Sequence, residues 1–384
     1  MKKIFSILLA SFMVLMFSCT DQETDNATLD SDSLSQDSSE PAARYFYKHL
    51  KGTIHGNLNV TMDIAYDGSS FTGTYYYDKK GEPISITGSI DSSGKANITE
   101  DVNGNTTGTF IGEFSTSSFV GTWISSDKKN SFPFELKEDY TDGALNFDAY
   151  FREDSVVLFD TMKNSPSGKL TQFFLIPSPA SSIDSSFRKK IFQASFGKKQ
   201  AKTDVNAIME NDVKLYAKDY LENRKDFDAT YGTYSYNWEN STRSGVIYNE
   251  GGILSVTSFF YEYSGGAHGN YGEGYTVFDV SGGDTIGIKD IFAPGFENKL
   301  NTIIEQRVKS EYKIPQGGSL EEAGFLVEDG IKYTDNFYLT KSGIGFLYNP
   351  YEIAAYSLGQ IKVFIPYNEL KPILKKEGIL KKVL

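Results

Sequence analysis

Three histidines and one cysteine are all that this 384-residue chain offers for metal or nucleophile chemistry. His268 has the most unusual setting. It lies in YEYSGGAHGNYGEGY (residues 261–275), a stretch with five glycines and four tyrosines. A catalytic triad could draw on Ser264, His268 and Asp279, but no G-x-S-x-G elbow surrounds any serine. No H-E-x-x-H or P-loop pattern occurs. His49 and His55 are six apart with no third ligand nearby, which makes a poor metal site, and both read as surface strand residues. The chemistry of this chain is therefore expected to be recognition, with no catalytic residue, no metal and no cofactor. In the 261–275 stretch, Gly265 and Gly266 let the backbone turn tightly. His268 can then bond a local carbonyl and fix the loop. Tyrosine pairs a rigid apolar face with a hydroxyl, which suits protein and sugar surfaces. The ligand-contact candidates are therefore Tyr261, Tyr263, His268, Tyr271 and Tyr275. Tyr261 and Tyr263 alternate, so they could equally pack against a sheet.

The remaining reactive residue, Cys19, has no cysteine to pair with, which excludes a disulfide within the chain and a thiolate-rich metal site. Its position is informative. The chain opens MKKIFSILLASFMVLMFSCTD, with two lysines and then an apolar run from Ile4 to Phe17, too short for a stable membrane span. Residues 1–18 resemble a bacterial lipoprotein signal peptide, which implies a lipidated Cys19 that holds the protein to a membrane. Residues 20–40 contain seven acids, no base and no aromatic. Such a segment cannot bury enough apolar area to order itself, so residues 19–42 are expected to be an acidic tether. An acidic run behind the cysteine resembles the surface-export signals of Bacteroidetes lipoproteins. The expected location is the cell envelope, at the outer membrane or cell surface.

The formal charge is −12, and without the first 18 residues it is −14, with 36 bases against 50 acids. Phosphate binding needs a basic face, so a nucleic-acid role is excluded. Cationic partners would be attracted instead.

The length calls for at least two domains. Residues 43–140 carry period-two patterning. In LNVTMDIAY, Leu58, Val60, Met62, Ile64 and Tyr66 alternate with polar partners, and similar runs follow at about ten-residue spacing, separated by YDGSS, DKKGEP, DSSGK, NGN and SDKKN. This predicts an all-β antiparallel meander of seven or eight strands, small and barrel-like. Gly73, Gly88, Gly112 and Gly121 recur inside strands, where a small barrel needs tight bends to close. Trp123 and Tyr75 to Tyr77 are expected to fill the barrel.

Residues 145–384 mix strands and helices without strict alternation, which predicts an α+β domain. IDSSFRKKIFQASF and DVNAIMENDVKLYAKDYLENR have helical spacing, the second behind Thr203 or Asp204 as a cap. Another helix is expected from about Phe296 to Tyr312, and a short one over YEIAAYSLG, capped by Asn349-Pro350 and stopped by Gly359. Strands are expected over YSYNWENST, RSGVIYNEGG, ILSVTSFFYEYSGG, GYTVFDVSGGDTIGI and IKVFIPY, among others.

The pieces SFFYEYSGGAHGN, TVFDVSGGDTIGIKDIFA and FYLTKSGIGFLYNPYEIAAYSLGQIKVFIPYNEL, in that order, resemble the tandem domains of unknown function shared by RsiV-like anti-sigma factors and the non-catalytic part of PdaC-type peptidoglycan deacetylases. The resemblance spans roughly residues 145–375. It implies an extracytoplasmic module, which in the RsiV family binds lysozyme. The metal-binding histidines of the deacetylase's catalytic domain have no counterpart here. The expected function is a lipid-anchored envelope binding protein, recognising a cationic lysozyme-like protein or peptidoglycan. An envelope glycan-modifying enzyme or hydrolase with an unrecognised site and a structural subunit of an envelope complex are the alternatives.

Overall fold

The computed structural model describes residues 44–382, apart from 103, 198–202, 229, 231–232 and 316. The signal-like segment, Cys19 and the acidic tether lie outside the described residues.

Eight strands form a closed antiparallel barrel: β1 (Phe46–Ile54), β2 (Leu58–Tyr66), β3 (Ser70–Tyr77), β4 (Ile84–Ile90), β5 (Ala96–Val102), β6 (Asn105–Phe114), β7 (Ser118–Ser125) and β8 (Ser131–Glu138), with β8 returning to β1. Side chains fill the interior, among them Phe71, Tyr75, Phe110, Phe119 and Phe134, all buried. Phe114 stacks on Phe119 at 4.1 Å. Gly112 and Gly121 face each other across β6 and β7. A Cβ on Gly121 would sit 2.1 Å from the Ile111 carbonyl oxygen, so the two backbones approach more closely than any side chain permits.

The lumen holds a buried carboxylate. Glu100, 4% exposed, accepts hydrogen bonds from the Tyr75 hydroxyl, from Thr107 Oγ1 at 2.8 Å and from the Trp123 indole at 3.1 Å. Burial, followed by the Glu100 charge, pushes the Tyr75 phenol far up. Tyr75 and Trp123 thus occupy the barrel as their pattern suggested, whereas Tyr76 points outward to Tyr248 and Glu250.

Beyond the barrel, a six-stranded sheet has the order β14-β13-β12-β11-β10-β9. Its strands are β9 (Phe147–Val157), β10 (Ser167–Pro177), β11 (Glu239–Glu250), β12 (Ile253–Tyr263), β13 (Asn270–Asp279) and β14 (Asp284–Thr285). Only β10 and β11 pair in parallel, and the chain crosses between them through α1 (Ser185–Ser195) and α2 (Val205–Leu221). Asp184 caps α1 by accepting from the Ser186 and Phe187 N–H groups, and Asp204 caps α2 at Ala207. Phe187 and Ile191 of α1 pack on Phe173, Leu254 and Phe278 of the sheet. A second sheet, β15 (Phe337–Leu339), β16 (Gly343–Tyr348) and β17 (Ile361–Pro366), shares a core with α3 (Ile288–Ile291), α4 (Glu297–Glu311) and α5 (Tyr367–Leu370).

Two local expectations change. YSYNWENST and RSGVIYNEGG do not make separate strands: a 3-10 turn at Tyr234–Tyr236 leads into the single strand β11. YEIAAYSLG is not an α-helix. Tyr351 begins it at φ 72°, Ala354 bridges to Phe325, and the Ile353 carbonyl and Ala355 N–H bond residues 326 and 324. With its backbone groups taken by a neighbouring segment, it winds only one 3-10 turn, Tyr356–Leu358.

The outer wall of β1–β3 is not a solvent face. It lies on β9 and β11, and the described residues form one compact unit. His49, read as a surface residue, is 0% exposed. Its Nδ1 lies 2.7 Å from Asp63 Oδ1, and the Tyr47 hydroxyl donates to the same oxygen at 2.5 Å. Asn249 of β11 donates to the Tyr47 oxygen at 3.0 Å and to the Leu145 carbonyl at 2.7 Å. Burial and the Asp63 charge push the Tyr47 phenol well above its usual range. Further along, Tyr76 and Lys51 both bond Glu250, at 2.5 and 2.9 Å. Burial alone would raise the Glu250 carboxyl, but these partners outweigh it and hold it below the usual carboxylate range. His55 is exposed, in a turn rather than a strand, with its ring 4.4 Å from Phe132.

Candidate functional site

The 264–269 turn joins β12 to β13 as a hairpin tip. Gly265 and Gly266 take φ values of 99° and 95°, which side-chain-bearing residues rarely adopt. Strand register puts Phe259, Tyr261, Tyr263, Tyr271, Glu273 and Tyr275 on one face, because directly paired residues share a face.

The sequence candidates separate here. His268 is exposed; its Nδ1–H donates to the Gly269 carbonyl at 2.8 Å and its ring stacks on Tyr356 at 4.0 Å. Tyr271 meets Tyr356 edge-on at 5.7 Å. Tyr261 is half-buried, and its ring occupies the space a Cβ on Gly269 would need. Tyr263 is buried and donates to the Gly266 carbonyl at 3.1 Å. Tyr275 stands apart, half-buried and edge-on to Tyr338 at 5.2 Å.

The structure adds three rings that sequence reading did not select. Tyr356 is the hub, and its hydroxyl donates to the Gly269 carbonyl at 2.8 Å. Tyr351, 56% exposed, lies 5.8 Å from it. Tyr234, 79% exposed, lies 6.1 Å from Tyr263. The left-handed backbone of Tyr351 was a readable signal only after its segment ceased to be a helix. Burial, then Glu239, then the Tyr356, Tyr234 and Tyr263 phenols raise the Tyr261 pKa. The result is an aromatic ledge bordered by the exposed acids Glu239 and Glu352.

Side chains support this ledge from the edge of β13. Asn349 Oδ1 accepts from the Glu273 N–H at 2.8 Å, Asn336 Oδ1 accepts from the Tyr275 N–H at 2.7 Å, and both amides donate to the Glu273 carbonyl. Two asparagines thus occupy backbone groups that a further strand would otherwise take.

His268 bears little of the fold. Its ring is exposed and its one hydrogen bond is local, so His268→Ala should cost about 0.5 kcal/mol or less in urea unfolding. A loss above about 1.5 kcal/mol would show that the ring, rather than the glycine turn, holds the hairpin. Among the described residues, no group of three His, Cys, Asp or Glu side chains could hold a metal.

The ledge draws on two chain segments that family comparison recognises. Residues 289–368 match DUF3298, a family described as a protein of unknown function. Residues 183–271 match the family described as deacetylase PdaC. His268 and Tyr271 come from the PdaC-matching segment, and Tyr351 and Tyr356 from the DUF3298 segment, so the site forms where the two meet. No curated protein matches the chain. The crystal structure of a DUF3298 family member from Bacteroides fragilis is similar over 62% of this chain and 97% of its own, with 24% identity and a TM-score of 0.54, a likeness of fold. A DUF3298 family protein from Pseudomonas aeruginosa has 16% identity over 60% of this chain and 95% of its own, with a TM-score of 0.41.

Proposed function

We propose that this chain is a lipid-anchored binding module of the cell envelope, and that its aromatic ledge recognises a cationic, lysozyme-type protein. One observation carries the reading. Tyr351 and His268 are exposed around Tyr356 at a hairpin tip, with Tyr234 exposed beside Tyr263, and burial in the fold does not account for them. Exposed aromatic clusters mark recognition surfaces, and tyrosine is over-represented among residues that dominate binding energy. The acidic rim and the net charge of −12 would steer a basic partner toward the ledge. The lipid anchor is Cys19, and the leader and acidic tether support that part of the reading.

Titration calorimetry with lysozyme tests it. Tyr356→Ala and Tyr351→Ala should each weaken binding by about tenfold, the loss expected of a hot-spot ring. Cytochrome c, similarly basic, should bind far more weakly. Equal binding of the two proteins, or no effect of either substitution, would show charge attraction without a specific interface. Retention on peptidoglycan that depends on the same tyrosines would assign the ledge to a glycan instead.

A further inference from the structure

A separate cleft lies beside the ledge, on the same face of the six-stranded sheet, between that face and the outer wall of the barrel. It encloses ≈ 310 Å³. Its floor is one cross-strand row. Arg243 on β11 pairs with Phe259 on β12, which pairs with Glu273 on β13, so a cation, an aromatic ring and an anion stand side by side on one face. Its roof comes from the barrel, where Thr72, Ser85 and Thr87 present hydroxyls.

The two ends of the row differ. Glu273 is engaged: Thr257 donates to it at 2.8 Å and Lys362 pairs with it at 3.3 Å. Arg243 is not. It makes one long approach, Nη2 to Asp67 Oδ2 at 3.4 Å. Asp67 is already occupied by the backbone N–H groups and hydroxyls of Ser69 and Ser70, at 2.7 to 2.9 Å. A half-buried guanidinium carries five donors in a planar fork that matches a carboxylate. Asp67 aims that fork and leaves most of it unused.

The geometry points to a binding site for a carboxylate-bearing sugar, such as a uronic acid. Arg243 would take the carboxylate, Phe259 would carry the ring face, and the barrel hydroxyls would meet the ring hydroxyls. An apolar ligand would strand those hydroxyls. A phosphate dianion would meet Asp67 and Glu273 with a single uncommitted cation to offset them. The volume is at the small end of ligand pockets, which suits one or two sugar rings. The site does not depend on the reading of the ledge.

The test is calorimetry on the full chain with D-glucuronate, D-glucose, acetate and inorganic phosphate. Glucuronate should bind, with glucose and acetate each at least about tenfold weaker and phosphate not competing. Arg243→Lys keeps the charge but loses the fork and should weaken glucuronate by about tenfold or more. Thr87 is exposed on the barrel wall, so Thr87→Trp should fill the cleft and abolish binding while leaving the thermal transition in place. The inference is overturned if glucuronate fails to bind at concentrations up to about 50 mM, if acetate or phosphate binds as well, or if both variants bind like the parent.

Discussion

Asp63→Ala is expected to lower stability by about 3–5 kcal/mol, because it removes the acceptor on which a buried network converges. Asp63 Oδ1 takes both the Tyr47 hydroxyl and the His49 ring, in a seam where all three side chains are buried. Without the carboxylate, a phenol and an imidazole are stranded, each costing about 1–3 kcal/mol, and a small void is added. Asp63→Asn keeps one acceptor oxygen and should cost less. Denaturant unfolding of the three proteins measures the difference. If Asp63→Ala lies within about 1 kcal/mol of the parent, the network does not join barrel to sheet.

Gly121→Ala should be almost as damaging, at about 3 kcal/mol, the upper end of the usual cost of overpacking. The added methyl would meet the Ile111 carbonyl at 2.1 Å and the Gly112 Cα at 2.5 Å, both backbone atoms that no rotamer change can move. Relief requires β6 and β7 to separate, which breaks their ladder and loosens Phe110 and Phe119 in the lumen. Gly94→Ala is the comparison. Its turn position has open space, so it tests only the strain of φ 86°. Equal stability of Gly121→Ala and the parent would mean that the barrel can expand there without penalty.

The barrel was legible because its lumen positions keep strict alternation and its turns carry Gly, Asp and Asn at regular spacing. The seam was not. β1 and β2 are buried on both faces, yet their second face carries His49, Thr61 and Asp63, which alternation assigns to water. A polar residue looks the same in a sequence whether its partner is solvent or a carboxylate fourteen residues away. The ledge was legible in part, since His268 and Tyr271 stood out in their glycine-rich setting. Tyr356 did not, because its segment has helical composition and is held open by backbone bonds to residues 324–326 that only the tertiary fold supplies.

The amide groups of Asn336 and Asn349 have a consequence for how these molecules behave in a crowd. An unpaired strand edge is a template on which a second chain can add, and long edges of that kind seed fibrils. On β13 the outward N–H groups of Glu273 and Tyr275 and the Glu273 carbonyl are already engaged by side chains of the same molecule. Two residues thereby deny the sheet a growth point beside its most exposed aromatic surface, where sticky rings and a free edge together would favour aggregation.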